Sequence, residues 1–166
     1  MEPQFYQPEI SRYSDRPLPT YRHLPFQNAH PFLDEDGHSY GEKLSPPDSF
    51  TLENWQHCSD YLYCIDLFNY GFWWEAHERL KQLCFAVGRE SKTGLFIQGL
   101  IQIAAALLKH FMQEQQGAET LAELGLGNLK KVEGIYLGIE IATLVTQVQN
   151  CLNSKEEKYP QIQLTK

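Results

Sequence analysis

Residues 66–82 read DLFNYGFWWEAHERLKQ, and this stretch decides the predicted fold. Gly71 follows Asn69 and Tyr70, and glycine is the residue that most readily ends a helix in a left-handed conformation. Residues 72–87 contain no proline and no glycine. At 3.6 residues per turn, one face of this segment gathers Phe72, Ala76, Leu80, Leu83 and Val87. The stretch therefore predicts two helices joined at Gly71, a helical hairpin resembling one tetratricopeptide unit.

The second helix of this hairpin carries most of the candidate chemistry. Its first turns contain, in order, Trp73, Trp74, Glu75, His77 and Glu78. Trp74 and Glu78 fall opposite the apolar face, together with Phe85, on a side that a surface helix normally keeps polar. The pattern predicts contacts on two sides and a partly buried Glu78. A buried carboxylate must be paired, hydrogen-bonded or protonated, which makes Glu78 and His77 the candidate catalytic residues.

Composition bounds the class of protein. A chain of 166 residues suits one domain of ordinary size, and its net charge of −7 argues against non-specific binding of nucleic acid. The start MEPQFYQPEI lacks the basic residues and apolar run of a signal peptide, and the apolar run 99–108 is too short to span a bilayer. The four cysteines show no CxxC spacing and are expected to be reduced, buried thiols. We therefore expect a cytoplasmic protein that does not bind membranes.

An extended arm is predicted at the start of the chain. Residues 1–49 contain eight of the nine prolines, so regular structure should be sparse there. The same segment contains seven aromatic residues, which are uncommon in disordered chains. We therefore expect at least residues 19–40 to pack on the helical body, and the first fifteen residues to be mobile. A turn at 34–37 separates His30 from His38. In the simpler interpretation both histidines are packing or surface residues. In the alternative, one of them reaches the candidate site on the second helix of the hairpin.

The remaining pattern is helical. We expect helices at residues 52–68, 94–112, 116–124 and 138–152, a break at 125–127, another turn of helix at 128–132 and no strand. Asp66 falls outside the apolar stripe of its helix, where it is either a solvated or turn-bonding residue or a site carboxylate. The fold class is all-α: a compact helical bundle at 50–153, preceded by the arm at 1–49 and followed by a polar tail at 154–166.

A narrow polar strip marks the otherwise apolar helix at 94–112. It consists of Gln98, Gln102 and Lys109, flanked by small Ala105 and Ala106. Polar side chains on a central helix need partners, and we expect them to be Glu78, His77 or Trp74 of the preceding helix. The strip is equally well explained as a structural hydrogen-bond network and as part of a ligand site.

The runs YLYCIDLFNYGFWWEAHERL, FIQGLIQIAAALLK and GIEIATLV resemble the prokaryotic domain-of-unknown-function family numbered 309, and LPTYRHLPFQNAHPFLDEDGHSYG resembles the arm of its longer members. The resemblance covers residues 19–152 and implies a bundle of α-helices, soluble cytoplasmic members and no established activity. Lys81 and Cys84 stand where the family usually has an acid and a tryptophan, and Cys64 where it has a glycine. The matching motif positions are Asp66, Asn69, Gly71, Glu75, His77, Glu78, Gln98, Gly99 and Gln102.

Two functions are compatible with these residues. In the first, preferred interpretation, the protein is a non-catalytic binding or scaffold module for an unknown small ligand or protein partner, which can include a second copy of the chain. In the second it is a small-ligand or metal-binding enzyme, hydrolase-like, that uses His77 and Glu78. Neighbouring helical residues point about 100° apart, so His77 and Glu78 chelate one ion poorly and no metal or cofactor is expected. Candidate ligand-binding residues are Glu75, Trp74, Gln98, Gln102, Asp66, Asn69 and His38.

Overall fold

A computed structural model describes residues 9–154 and 158–166. Within these residues the chain forms five α-helices and one two-stranded antiparallel sheet, so the predicted all-α bundle is confirmed. The helices are α1 Ser59–Asn69, α2 Trp73–Val87, α3 Lys92–Phe111, α4 Gln115–Leu129 and α5 Ile141–Asn153. The strands are β1 Ile135–Tyr136 and β2 Ile139–Glu140, and a single 3-10 turn, Trp55–His57, precedes α1.

The hairpin of α1 and α2 turns at Gly71, whose φ of 81° is the left-handed conformation expected there. The helix α1 is shorter than the predicted 52–68, because it begins only at Ser59. Thr51 forms a local turn before this helix, in which its side-chain oxygen accepts from the Asn54 N–H at 3.1 Å. Such side chain to backbone bonds compete with helix formation, and they leave only the short 3-10 turn before Cys58.

The central helix is α3, which packs against α2 on one side and α4 on the other. The predicted break at 125–127 is wrong, since α4 runs continuously through both glycines. Gly125 faces Gly99 of α3, and a Cβ atom there would lie 3.0 Å from the Gly99 carbonyl oxygen. The glycine therefore serves close helix packing and does not end the helix.

The expectation that the chain has no strand is also wrong. The strands β1 and β2 pair through a tight turn in which Leu137 and Gly138 both have positive φ, 48° and 78°. Two consecutive left-handed residues are what the type I′ turn of a two-residue hairpin requires. The helix α5 accordingly begins at Ile141 and not at residue 138. The hydroxyl of Tyr61 on α1 donates to the Leu137 carbonyl oxygen at 2.7 Å and holds the hairpin against the bundle.

The arm and the tail both pack on the bundle. His23, Leu24 and Phe50 are buried, and no helix precedes the 3-10 turn in the described part of the arm. The expected mobility of the first fifteen residues falls partly on residues 1–8, which lie outside the described residues, whereas Tyr13 and Ser14 are bonded to α1. Residues 158–166 return along the bundle and bury Ile162, so the predicted polar tail contributes to the core.

By length and composition α3 would be able to cross a membrane, because the helix is longer than the apolar run 99–108 considered above. However, 61% of its most apolar window is buried inside the bundle, as in the core helix of a soluble protein. All four cysteines are buried and free, as expected.

Candidate functional site

The two acids of the Glu-Ala-His-Glu motif point to different environments. Glu75 is 3% exposed, whereas the side chains of His77 and Glu78 are 30% and 24% exposed. At about 100° per residue, Glu75 and Glu78 lie only about 60° apart around the helix, so their different exposure depends on the arm, which contacts Glu75. The first two turns of α2 therefore supply one buried carboxylate facing the arm and one pair nearer to solvent.

Glu75 binds the arm at two points. Its Oε2 accepts from the backbone N–H of His23 at 3.0 Å and from His38 Nε2 at 2.8 Å. The side chain of His38 is as deeply buried as that of Glu75. The structure thus brings the candidate residues Glu75 and His38 together, and Glu75 Oε1 is buried with no hydrogen-bond partner among the described residues.

A group of aromatic rings surrounds this contact. The Trp74 ring lies 4.6 Å from His23, 5.2 Å from His30 and 5.8 Å from Phe32, measured between centroids. His23 Nδ1 donates to Asn28 Oδ1 at 2.8 Å, because the Asn28 amide group itself donates to a backbone carbonyl. Burial lowers the pKa of His23, and neighbouring His30 lowers it further. His23 is therefore a neutral imidazole inside an aromatic cluster near neutral pH.

These histidines do not make a metal site with Glu75. Within residues 9–154 and 158–166, no group of three or more histidine, cysteine, aspartate or glutamate side chains is arranged to hold a metal ion. His30 Nδ1 accepts from the backbone N–H groups of Phe32 and Leu33, both at 3.2 Å, which occupies that nitrogen in a local turn. The histidines act as packing and hydrogen-bonding groups in the observed arrangement.

Asp66 and Asn69 bind the two ends of the chain to α1. Asp66 is fully buried, and its two oxygens accept from the N–H groups of Tyr13 at 2.7 Å and Ser14 at 2.9 Å. Burial raises the pKa of Asp66, while the two N–H donors and Arg12 oppose that rise. Asn69 exchanges two hydrogen bonds with the backbone of Ile162, of 2.6 and 2.8 Å. Both candidate residues therefore contact main chain of the arm or the tail.

His77 and Glu78 form a pair on the outer side of α2. Glu78 accepts from His77 Nδ1 at 3.3 Å and from Lys81 Nζ at 3.1 Å. Although burial raises the pKa of Glu78, the hydrogen bonds from His77 and Lys81 outweigh it and lower the pKa overall. Glu78 is thus an ionised carboxylate near neutral pH.

The expected contacts of the polar strip on α3 are not the observed ones. Gln102 accepts from Asn128 Nδ2 of α4 at 2.8 Å, and Lys109 pairs with Glu114 at 2.6 Å. Gln98 is half buried on the same helix. The expectation that the strip bonds to Glu78, His77 or Trp74 is not met by Gln102 or Lys109, because α3 has two neighbouring helices and these side chains turn toward α4 and the loop that leads to it.

Trp74, His77 and Lys109 nevertheless meet around a common space. They line a cavity of about 190 Å³ between the arm, α2 and α3. The sequence did not indicate that the arm residues Pro25 and Phe26 would complete its wall. One signal for them exists in the sequence: Leu-Pro-Phe-Gln at 24–27 has proline where a tight turn prefers it.

The fold and these contacts define a helical-bundle protein whose hairpin holds extended segments of its own chain. Residues 61–121, from α1 into α4, match the model of the family Domain of unknown function (DUF309). The match confirms the resemblance drawn from the motifs over that segment, and the family carries no characterised activity. No curated protein matches the chain.

Proposed function

We propose that the protein is a non-catalytic binding and scaffold module, in which the α1–α2 hairpin binds extended polypeptide through its main chain. The observation that carries this proposal is the use made of the motif residues Asp66, Asn69 and Glu75. All three are buried, and all three direct side-chain oxygens at backbone N–H groups of the arm or tail. Hydrogen bonds from backbone N–H groups to a carboxylate are stronger than those between neutral groups, and they fix the position of the bound segment.

Further contacts of the arm have the same character. The hydroxyl groups of Tyr63 and Tyr70 donate to the carbonyl oxygens of Pro17 at 2.8 Å and Ile10 at 2.9 Å. In the opposite direction, Arg22 donates to the Tyr70 carbonyl oxygen at the hairpin turn. Contacts to main chain are available to any extended segment, as in other modules that recognise extended peptides. The hairpin is therefore a surface for extended chain, occupied here by the protein's own arm.

A competition experiment tests this function. In the full-length chain, Ser14→Pro removes the N–H that donates to Asp66 while leaving the hairpin unchanged. We expect a fluorescently labelled peptide of residues 9–30 to bind this variant at least about tenfold more tightly than the wild type, because the attached arm competes less well. The measurement is fluorescence anisotropy.

The matched control is the same peptide carrying Ser14→Pro, which lacks the donor and should bind the variant more weakly than the unmodified peptide. Equal binding of both peptides, or none of either to a variant with unchanged circular dichroism, would contradict the proposal. A cytoplasmic location is part of the proposal and is supported by the four free buried thiols.

A second candidate function is the hydrolase-like use of His77 and Glu78. It is favoured by one observation: His77 lines the cavity while Glu78 holds its Nδ1, which leaves Nε2 for another partner. Under this alternative His77→Ala loses a ligand or an activity with the arm still bound, whereas under the preferred function it leaves binding of the 9–30 peptide unchanged.

A further inference from the structure

The cavity between the arm, α2 and α3 has a largely apolar wall. Six of its lining residues are Pro25, Phe26, Trp74, Ala105, Leu108 and Met112. Its volume is about 190 Å³. An apolar cavity of about 150 Å³ holds benzene, so this one has room for a single aromatic ring with a short substituent. The space is too small for a nucleotide or a larger cofactor.

The lining favours an aromatic group over an aliphatic one. Trp74 offers a ring surface and Met112 offers a thioether, each of which attracts an aromatic ring. Phe26 has a φ of 67° and its side chain is fully exposed. A bulky residue in this conformation is strained, and such strain concentrates at ligand-binding segments. An exposed aromatic ring is thus held at the mouth of an apolar cavity.

Two opposite charges lie at the solvent side of the same cavity. Lys109 and Glu114 both line it, are 41% and 48% exposed, and pair with each other at 2.6 Å. An anionic ligand that bound Lys109 alone would displace Glu114 from its partner in a chain of net charge −7. A cationic ligand would likewise leave Lys109 unpaired. A ligand that carries both charges leaves each of the two side chains with a partner.

We propose that this cavity binds a free aromatic α-amino acid with a single ring. The ring occupies the apolar space beside Trp74, the carboxylate contacts Lys109 and the ammonium group contacts Glu114. A residue within a peptide lacks both charges, and a terminal residue keeps only one, so the free amino acid is the form that fits. The inference does not depend on the binding of extended peptides by the hairpin.

Calorimetric titration of the full-length protein tests the proposal with L-phenylalanine as the probe. We expect a dissociation constant of about 1 mM or lower, and binding at least about tenfold weaker for phenylacetate and phenethylamine, which carry one charge each. Ala105→Leu fills the cavity and should abolish binding. Lys109→Met should weaken L-phenylalanine at least about tenfold and phenethylamine much less.

The control variant is Lys131→Met, which removes a lysine just beyond the other end of α4 and should leave binding unchanged. Absence of L-phenylalanine binding, equal affinity for all three probes, or equal effects of Lys109→Met and Lys131→Met would each overturn the proposal. Because Lys109→Met alters only a part-exposed side chain, its result decides the matter even if Ala105→Leu fails to fold.

Discussion

At the scale of single residues, the charged and polar side chains of the motif differ in what they bind. Glu75 accepts from the arm, whereas Glu78 is ionised and held by His77 and Lys81. The helical spacing of these residues could be predicted from the sequence, but their partners could not. Lys81 lies one helical turn from Glu78, whereas His23 and His38 are 52 and 37 residues from Glu75 in the sequence.

Phe26 gives the first prediction at this scale. Because it has positive φ and no buried side-chain surface, Phe26→Gly should raise the free energy of unfolding by about 1 kcal/mol, the relief of left-handed strain less the added chain entropy of glycine. Urea denaturation measures the change. The control Phe26→Ala keeps the strain and should be close to neutral, so an equal gain from both variants would show that strain is not the cause.

The second prediction at this scale concerns His23, whose pKa is lowered by burial. Between about pH 6.5 and the lower pKa of the folded state, the unfolded chain binds more protons, so the free energy of unfolding should fall as pH drops below about 6.5. His23→Gln keeps a hydrogen-bond donor for Asn28 and removes the titration. We expect urea denaturation at about pH 7.5 and about pH 5.5 to show a smaller loss in this variant. An unchanged loss would mean that other groups cause it.

At the scale of the elements, the helix pattern predicted α2 and α3 within two residues at each end, and it missed the start of α1, the end of α4 and the start of α5. Helix propensity predicted that Gly125 and Gly127 would interrupt the helix, but α4 continues through them and Gly125 allows close packing against α3. Thr51 and Asn54 bond locally, and the Leu137–Gly138 turn places a leucine where sequence rules expect asparagine or glycine. In each case a contact distant in sequence or a local turn outweighed a weak propensity.

Gly125 and Gly127 of α4 allow a test of this packing role. A Cβ at residue 125 would lie 2.9 Å from the Ile103 side chain and 3.0 Å from a backbone oxygen, so Gly125→Ala should cost about 1–3 kcal/mol. No atom of the described residues lies within 4 Å of a Cβ at residue 127, so Gly127→Ala should stabilise the helix by about 0.5–1 kcal/mol. Denaturant titration of both variants checks the opposite signs, and two changes of the same sign would refute this packing role.

At the scale of the whole molecule, arm and tail are joined to the bundle through α1 and the start of α2. Asp66 holds the arm, Asn69 holds the tail, and Tyr13 links the two, because its hydroxyl accepts from the Leu164 N–H at 2.8 Å. The segment matched by the family model, 61–121, therefore contains the residues that bind both the arm and the tail. Loss of one buried acceptor should therefore affect the arm over several residues.

Asp66→Asn tests this arrangement. The amide has one acceptor oxygen for two backbone N–H donors, so we expect a loss of about 1–3 kcal/mol and faster tryptic cleavage after Arg12, with helical content retained. Limited proteolysis followed by mass spectrometry locates the cleavage. Glu78→Gln on α2 is the control, since Glu78 has partners on its own helix, and cleavage rates that match in both variants would contradict the role of Asp66.

The sequence by itself determined the helical class, the hairpin turn at Gly71, the apolar character of α3 and the family resemblance of the central segment. These follow from local periodicity and from a glycine that can adopt positive φ. Only the tertiary structure decided that Glu75 meets His38, that Gln102 faces Asn128, and that Pro25 and Phe26 line a cavity beside Trp74. The physical reason is that helical spacing fixes the direction of a side chain on its own helix, whereas its partner depends on how distant segments pack.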